Sequence, residues 1–288
     1  MRVLITIPHV FAPQKGSLYS SQNEEKRHVK QAALLQATIG NLIKHGEKHW
    51  IHASLGYRKP VVTRKLATND GIDLHIQLYT PINATLSNIL PNHPNLKIIH
   101  IDSDDYTKIP ALASRSALEQ APHYDLIGYI EDDILIEDVD LLKKILYLEN
   151  ISDSSYAFMP HRCELIPQKG DVILSGDPDG GRPDLYWDTG EMIEVSWPLG
   201  NKNFYRATNP HSGCYFLSSR QALRVLNYWQ NCNWVANFEL SGPLEQAASG
   251  MLLPVLKIMK PIPAHYRFLM IRHQDDLWRR HPEEIKCH

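Results

Sequence analysis

The chain has 288 residues, 43% of them hydrophobic and 22% charged, with a formal net charge of −2. These values are typical of a globular protein with a large core, and they exclude a strongly basic nucleic-acid-binding surface. No apolar run approaches the ~18 residues that a transmembrane segment needs. The four cysteines are widely spaced, as is usual for reduced thiols. We therefore expect a cytoplasmic protein without a nucleic-acid partner or a transmembrane segment.

The N-terminal part of the chain predicts a strand, a loop and a helix. Residues 2–7 form an apolar strand pattern that Pro8 ends, and the loop His9-Val10-Phe11-Ala12-Pro13 follows. Neither GxGxxG nor GxxxxGK[ST] follows this strand, which disfavours dinucleotide and P-loop phosphate binding. Apolar residues at spacings of three and four then predict a helix over 23–45, ended by Gly46.

Three further strands are predicted over 49–55, 72–79 and 96–101. The last of them ends in the acidic cluster Asp102-Ser103-Asp104-Asp105. We interpret this cluster as the polar start of the next helix, and a metal site is the alternative. That helix is predicted over 110–120. It carries Arg115, which is either a surface residue or a phosphate-binding residue aimed at the following strand.

The most informative stretch is the apolar run 126–130, which leads directly into Glu131, Asp132 and Asp133. Carboxylates are costly to bury without a partner, so this strand is expected to end at a cleft where the acidic groups meet a cation. A hard divalent ion that also binds a phosphorylated ligand would suit these oxygens. The alternative is an acidic, solvated start of the next helix.

The second half of the chain is less regular. We predict no regular structure for most of 160–210, a long aromatic segment of the kind that is often functional. Its Trp187 is expected either to stack on a sugar or to pack beneath the loop. Other predicted elements are a helix after the acidic triplet, strands over 156–159, 214–218, 256–262 and 266–271, and helices beginning near 219 and 237.

Taken together, these motifs resemble a glycosyltransferase of the GT-A fold. The resemblance rests on the run Tyr124–Asp133, which is similar to the DxD motif in the form EDD, and on the helix with Arg115 before it. His211-Ser-Gly-Cys-Tyr-Phe-Leu-Ser218 is similar to the xSGxxxxS strand on the acceptor side. Ser241-Gly-Pro-Leu-Glu245 and the late His273 complete the set. The QxxRW motif of processive polysaccharide synthases is missing.

The resemblance implies an α/β fold with a Rossmann-type mixed sheet flanked by helices and an irregular acceptor-side segment. It implies one domain over 1–288, in which residues 1–135 bind the nucleotide sugar and residues 136–288 bind the acceptor. It also implies Mn²⁺ or Mg²⁺, bound by Asp133 and Asp132, with His273 as a third ligand. Asp132 or Glu131 would reach the ribose or a metal-bound water, and Arg115 would neutralise the leaving diphosphate.

The remaining roles are also implied by the resemblance. Glu245 would be the catalytic base, with Glu239 as its rival, although a glutamate at that position also suits a helix start. The nucleotide base would bind at Pro8, His9, Val10 and Phe11. The acceptor, a glycan or another hydroxyl compound, would contact Trp187, His211, Ser212 and Gly213.

Two other functions remain open at this point. A sugar nucleotidyltransferase would share the α/β sheet and the metal carboxylates, but a glycine- and arginine-rich loop is expected after its first strand, and residues 8–13 do not form one. A non-catalytic carbohydrate- or nucleotide-binding module would use the acidic triplet only structurally.

Overall fold

The computed structural model describes residues 1–12, 24–54, 62–67, 72–166, 169–174, 191–207, 210–230 and 242–274. In chain order, the strands are β1 (Arg2–Pro8), β2 (His49–Ser54), β3 (Val62–Ala67), β4 (Asp73–Pro81), β5 (Leu96–Ile101), β6 (Leu126–Ile130), β7 (Ile134–Leu135), β8 (Tyr156–Phe158), β9 (His161–Ile166), β10 (Gly170–Leu174), β11 (Met192–Val195), β12 (Lys202–Arg206), β13 (Cys214–Ser218), β14 (Lys257–Pro261) and β15 (Met270–His273). The helices are α1 (Glu24–His45), α2 (Lys108–Gln120), α3 (Leu141–Ile151), α4 (Ser219–Trp229) and α5 (Pro243–Glu245). None of the described helices is long and apolar enough to cross a bilayer.

A five-stranded sheet with the order β13-β6-β1-β4-β5 forms the centre of the fold. The strands β6, β1, β4 and β5 are parallel, and β13 is antiparallel to β6. The carboxyl ends of the four parallel strands therefore meet at one edge of the sheet. The predicted α/β class, a mixed sheet flanked by helices, is confirmed.

Helices cover both faces of this sheet. Val3, Ile5 and Ile7 of β1 belong to one apolar cluster together with residues of α1, whereas Leu4 belongs to a second cluster together with residues of α2. Alternate side chains of a strand point to opposite faces. Because both faces are covered, β1 is buried continuously from Val3 to Pro8 rather than at alternate positions.

The segment predicted to be irregular contains four strands within its described parts, so that prediction was wrong in part. β9 and β10 form the sheet β10-β9-β15-β7, and β11 and β12 form the sheet β11-β12-β14-β8. Their partners β14 and β15 come from the far end of the chain, and local periodicity does not reveal such pairing. The strand predicted over 266–271 was also misplaced, because Pro263–Phe268 is a 3₁₀ helix and β15 begins at Met270.

Candidate active site at the carboxyl edge of the central sheet

The acidic triplet follows β6, an internal strand of the central sheet between β1 and β13. The backbone N–H of Glu131 donates to the carbonyl of Gly213 at 2.9 Å, which continues the pairing of β6 with β13 beyond the strand end. On the other side, the hydroxyl of Thr38 in α1 donates to the carbonyl of Asp132 at 3.0 Å. The triplet is therefore fixed by its backbone on both sides before any side-chain contact is considered.

Asp132 is held by His9, which follows β1. Nδ1 of His9 lies 2.5 Å from Oδ2 of Asp132, while Nε2 of the same ring accepts the N–H of Leu86 at 3.1 Å. An imidazole that accepts at Nε2 carries its proton on Nδ1, so His9 donates to Asp132. His9 is 1% exposed and the Asp132 side chain 25% exposed, so a buried histidine orients a carboxylate that reaches solvent.

The pairing of the strands explains why these two residues meet. His9 and Asp132 are 123 residues apart, the same separation as between the paired residues Thr6 and Tyr129 of β1 and β6. Their contact therefore continues the parallel register past the last paired residues. A one-residue slip in this register would separate the two side chains.

Asp133 is linked to two more buried residues from the neighbouring sheet. Its Oδ2 lies 3.2 Å from Nε2 of His273, and Nδ1 of His273 lies 2.8 Å from Oε1 of Glu164, which is fully buried. An imidazole with a carboxylate on each nitrogen is stabilised as the cation, in which both nitrogens donate. Arg162 lies 3.5 Å from the same Glu164 oxygen.

The electrostatics of this network follow from burial and pairing. Burial lowers the pKa of His273, but Asp133 and Glu164 outweigh this effect and raise it to about 9. Burial raises the pKa of Asp133, yet the charge and hydrogen bond of His273 hold it below its usual range. At neutral pH, Asp133 is therefore a carboxylate and His273 is an imidazolium.

Glu131 behaves differently from its two neighbours. Burial, together with the charge of Asp133, raises its pKa to about 8, so Glu131 is protonated at neutral pH. Oε1 of Glu131 lies 3.8 Å from Nε2 of the buried His211. Gly213, which has a φ of +71°, lies against the other oxygen, because an added Cβ would be 2.9 Å from Oε2. The triplet thus combines the ionised Asp133 and the neutral Glu131 with the partly exposed Asp132 between them.

Asp132 and Asp133 fit a divalent cation that takes its remaining ligands from a bound molecule and water. Oδ1 of Asp133 is buried and has no hydrogen-bond partner in the described part of the chain, and a buried orphan oxygen of this kind suits a cation. Both ring nitrogens of His273 are engaged by carboxylates, so this histidine lies beside the pair rather than open for ligation. Within the described ranges, no group of three or more His, Cys, Asp or Glu side chains forms a ready metal cage.

The sequence matches no protein-family model and no curated protein. Among solved structures, the chain is similar to 2-C-methyl-D-erythritol 4-phosphate cytidylyltransferase from Francisella tularensis. The TM-score is 0.40 with 10% identity, and the match covers 91% of each chain.

The other predicted residues have varied positions. Arg115 lies on the exposed surface of α2, where it forms an ion pair with Glu119 at 2.7 Å. Glu245 ends α5, and its negative charge contributes to the raised pKa values of Glu131 and the buried Tyr129, which places it in the electrostatic field of the triplet. Trp187 and Glu239 lie outside the described residues.

The loop after β1 is held to the neighbouring strand. The N–H of His9 donates to the carbonyl of Tyr79 at the end of β4, and the N–H of Phe11 donates to the carbonyl of Ala84, both at 2.9 Å. The Phe11 ring makes an edge contact with His28 of α1. Pro8, Val10 and Phe11 therefore border the same sheet edge as the triplet.

The sequence did not single out Lys260, Glu164 or Arg162. Lys260 is buried in β14, where its Nζ donates to the hydroxyl of Ser212 at 2.6 Å, and burial lowers its pKa to about 7. A lysine inside the apolar strand pattern 256–262 was the signal that could have identified it. Glu164 and Arg162 lie in the segment predicted to be irregular, so no strand pattern pointed to them. Ser212 and His211 are both buried behind the triplet.

Proposed function

We propose that this protein is a glycosyltransferase that moves a sugar from a nucleotide-diphosphate sugar to a hydroxyl group of a carbohydrate-type acceptor, with Mn²⁺ or Mg²⁺ as cofactor. One observation carries the proposal. Two partly exposed carboxylates, Asp132 and Asp133, lie at the carboxyl end of an internal parallel strand, where ligands of open α/β sheets bind. The resemblance of the EDD motif to that of GT-A glycosyltransferases supports the same function.

In this proposal, Asp132 and Asp133 hold the cation, which supplies charge neutralisation for the departing diphosphate. His9 fixes the orientation of the Asp132 carboxylate, and the imidazolium of His273 keeps Asp133 ionised. The protonated Glu131 adds no third negative charge beside them. The protein therefore presents two charges to a divalent ion and leaves its other ligand positions to phosphate oxygens and water.

The nucleotide base is proposed to bind along Pro8, His9, Val10 and Phe11, which border this edge of the sheet. Glu245 is the proposed base for the acceptor hydroxyl, supported by its electrostatic influence on Glu131. Arg115 is the proposed residue that neutralises the diphosphate. To do so, it would have to leave its ion pair with Glu119 and pair with a phosphate group instead. His211, Ser212, Gly213 and Trp187 remain proposed acceptor-side residues.

The experiment that tests the proposal is an assay of a panel of nucleotide sugars with Mn²⁺, with Mg²⁺ and with EDTA. We expect metal-dependent release of a nucleoside diphosphate. Release of pyrophosphate from a nucleoside triphosphate and a sugar phosphate would instead establish the sugar nucleotidyltransferase. Tight binding without turnover of either substrate set would support a non-catalytic module. If no nucleotide sugar binds, and Asp133→Ala leaves the Mn²⁺ affinity unchanged, the proposal fails.

A further inference from the structure

A cavity lies away from the acidic triplet, on the other face of β15. It has a volume of about 860 Å³, and its lining includes Met270 at the start of that strand. Met270 and His273 are three positions apart in β15, so their side chains point to opposite faces of the sheet. This cavity is therefore distinct from the site that contains His273.

Aromatic rings form one wall of the cavity. Trp197 makes an edge contact with Phe268, with ring centroids 5.0 Å apart, and a second edge contact with Tyr147 at 5.2 Å. Trp197 is only partly buried and lines the cavity, which leaves part of the indole for a ligand. Leu199 beside it is 85% exposed. A partly open indole of this kind suits the apolar face of a sugar ring.

Cations surround the same rings. The Nζ atoms of Lys144 and Lys202 lie 5.2 and 5.5 Å from the ring centroid of Phe268. Arg267, which precedes Phe268 in the chain, also lines the cavity. Asp138 neutralises Lys144 at 2.6 Å, whereas neither Lys202 nor Arg267 has a carboxylate partner within the part of the chain that the structure describes. The cavity thus offers two cations that a ligand can pair.

The polar lining donates more than it accepts. Nδ1 of His265 accepts the backbone N–H of Asn203 at 3.0 Å, so the ring proton is on Nε2 and is a further donor. With Lys202 and Arg267, this makes three donor groups, against one carboxylate, Asp140, which pairs with Lys143 at 3.3 Å. A ligand that suits this lining carries a negative charge, several acceptor oxygens and one apolar face.

We propose that this cavity binds an anionic saccharide, a sugar that carries a carboxylate or a phosphate group. Its ring stacks against Trp197, and its charged group pairs with Lys202 and Arg267. The volume accommodates a mono- or disaccharide, in the range of small-molecule sites. The site stands independently of the proposed transfer reaction, since it shares no lining residue with the acidic triplet.

The test measures binding of four probes to the full chain by NMR and calorimetry: glucuronic acid, glucose 6-phosphate, glucose and inorganic phosphate. We expect both acidic sugars to bind at least tenfold more tightly than glucose and than phosphate, and to shift the Trp197 indole signal, assigned with Trp197→Phe. Lys202→Ala combined with Arg267→Ala should weaken acidic-sugar binding at least tenfold. The control Lys97→Ala, which removes an exposed lysine of β5 outside the lining, should leave it unchanged.

Glucose binding as tightly as glucuronic acid would overturn the role of charge, and inorganic phosphate binding as tightly would overturn the role of the sugar ring. An unchanged affinity in the double variant, with an unchanged melting curve, would overturn the location. Asp133→Asn and EDTA should both leave this binding intact. Loss of transfer activity and loss of acidic-sugar binding are therefore separate results.

Discussion

Two acidic clusters follow two strands of the same parallel sheet, and their surroundings differ almost completely. Asp102-Ser103-Asp104-Asp105 follows β5, and Glu131-Asp132-Asp133 follows β6. Asp105 is exposed, and its carboxylate accepts hydrogen bonds from the N–H and the hydroxyl of Thr107. It also forms an ion pair with Lys108 at the start of α2. The β6 cluster is instead held by two buried histidines, and its Glu131 is protonated at neutral pH.

The position of each strand in the sheet explains the difference. β5 is an edge strand, so the residues after it have a neighbouring strand on one side only and reach solvent. β6 is internal, so the residues after it meet the loops after β1 and β13 on both sides. The same residue types therefore start a helix in one place and form a candidate cation site in the other.

The largest effect is expected for Asp133→Asn, which keeps the shape of the side chain and removes its charge. If the β6 cluster holds the cation, metal-dependent transfer should fall by a factor on the order of 100 or more. The matched change Asp104→Asn in the β5 cluster should leave activity near the wild-type value. Rates over a Mn²⁺ titration measure both. The opposite result, with Asp104→Asn inactive and Asp133→Asn active, would move the cation to the β5 cluster.

Gly213→Ala should disturb the β6 cluster through packing alone. Gly213 and Gly170 both have positive φ, at 71° and 79°, so alanine is strained by about 1 kcal/mol at each. Of the two, the new Cβ collides at Gly213, 2.9 Å from Oε2 of Glu131, while at Gly170 no atom of the described residues lies within 4 Å. We expect Gly213→Ala to lower the free energy of unfolding by roughly 1–2 kcal/mol more than Gly170→Ala. Equal losses in urea titrations would show that Glu131 moves aside freely.

The pH dependence of stability should report the buried ion pair of the β6 cluster. The pKa of His273 is raised from 6.5 to about 9, so the folded chain holds this proton more tightly than the unfolded chain. The resulting stabilisation is complete below pH 6.5 and is lost as the pH rises to 9. The loss corresponds to roughly 3 kcal/mol for a shift of this size.

The control for this effect is His273→Gln, which removes the titrating group. The difference in unfolding free energy between wild type and variant should shrink between pH 6.5 and 9. Because the pKa of Glu131 is raised, the wild type also loses stability at this group as the pH rises. Because the pKa of Lys260 is lowered, the wild type gains stability at that group as the pH rises. Lys260 contributes equally in both proteins, whereas Glu131 loses in the variant the charge of His273, which lowers its pKa, so the difference shrinks by less than the full His273 contribution. A difference that does not change with pH would contradict the ion pair.

The smallest effect is expected for Asp105→Asn. Its pKa is lowered by the hydrogen bond from Thr107 and by Lys108 on a fully exposed surface, where solvent weakens such interactions. The variant should have a slightly lower melting temperature, because the carboxylate charge before the start of α2 is removed. Transfer activity should be unchanged. A large loss of activity here would contradict the assignment of this cluster to a helix start.

The sequence predicted the central sheet and the position of the triplet well, because both depend on local patterns. The apolar run 126–130 followed by three carboxylates has one simple interpretation, a buried strand that ends at a polar edge. The difference between the two acidic clusters was not predictable in this way, since it depends on strand order. The contact of Glu164 with His273 depends on the pairing of β9 with β15, about a hundred residues apart. No periodicity within either strand encodes that pairing.

The continued register of β1 and β6 has a consequence for how the protein folds. The His9–Asp132 bond closes a loop of 123 residues, and pairing over such distances is slow to form. The bond cannot form until β6 has added to β1 in the correct alignment. During refolding, the proposed transfer activity should therefore not return before the β6 amides are protected against hydrogen exchange. Recovery of the proposed transfer activity would then mark a time by which β1 and β6 have aligned, across the longest parallel pairing in the described part of the chain.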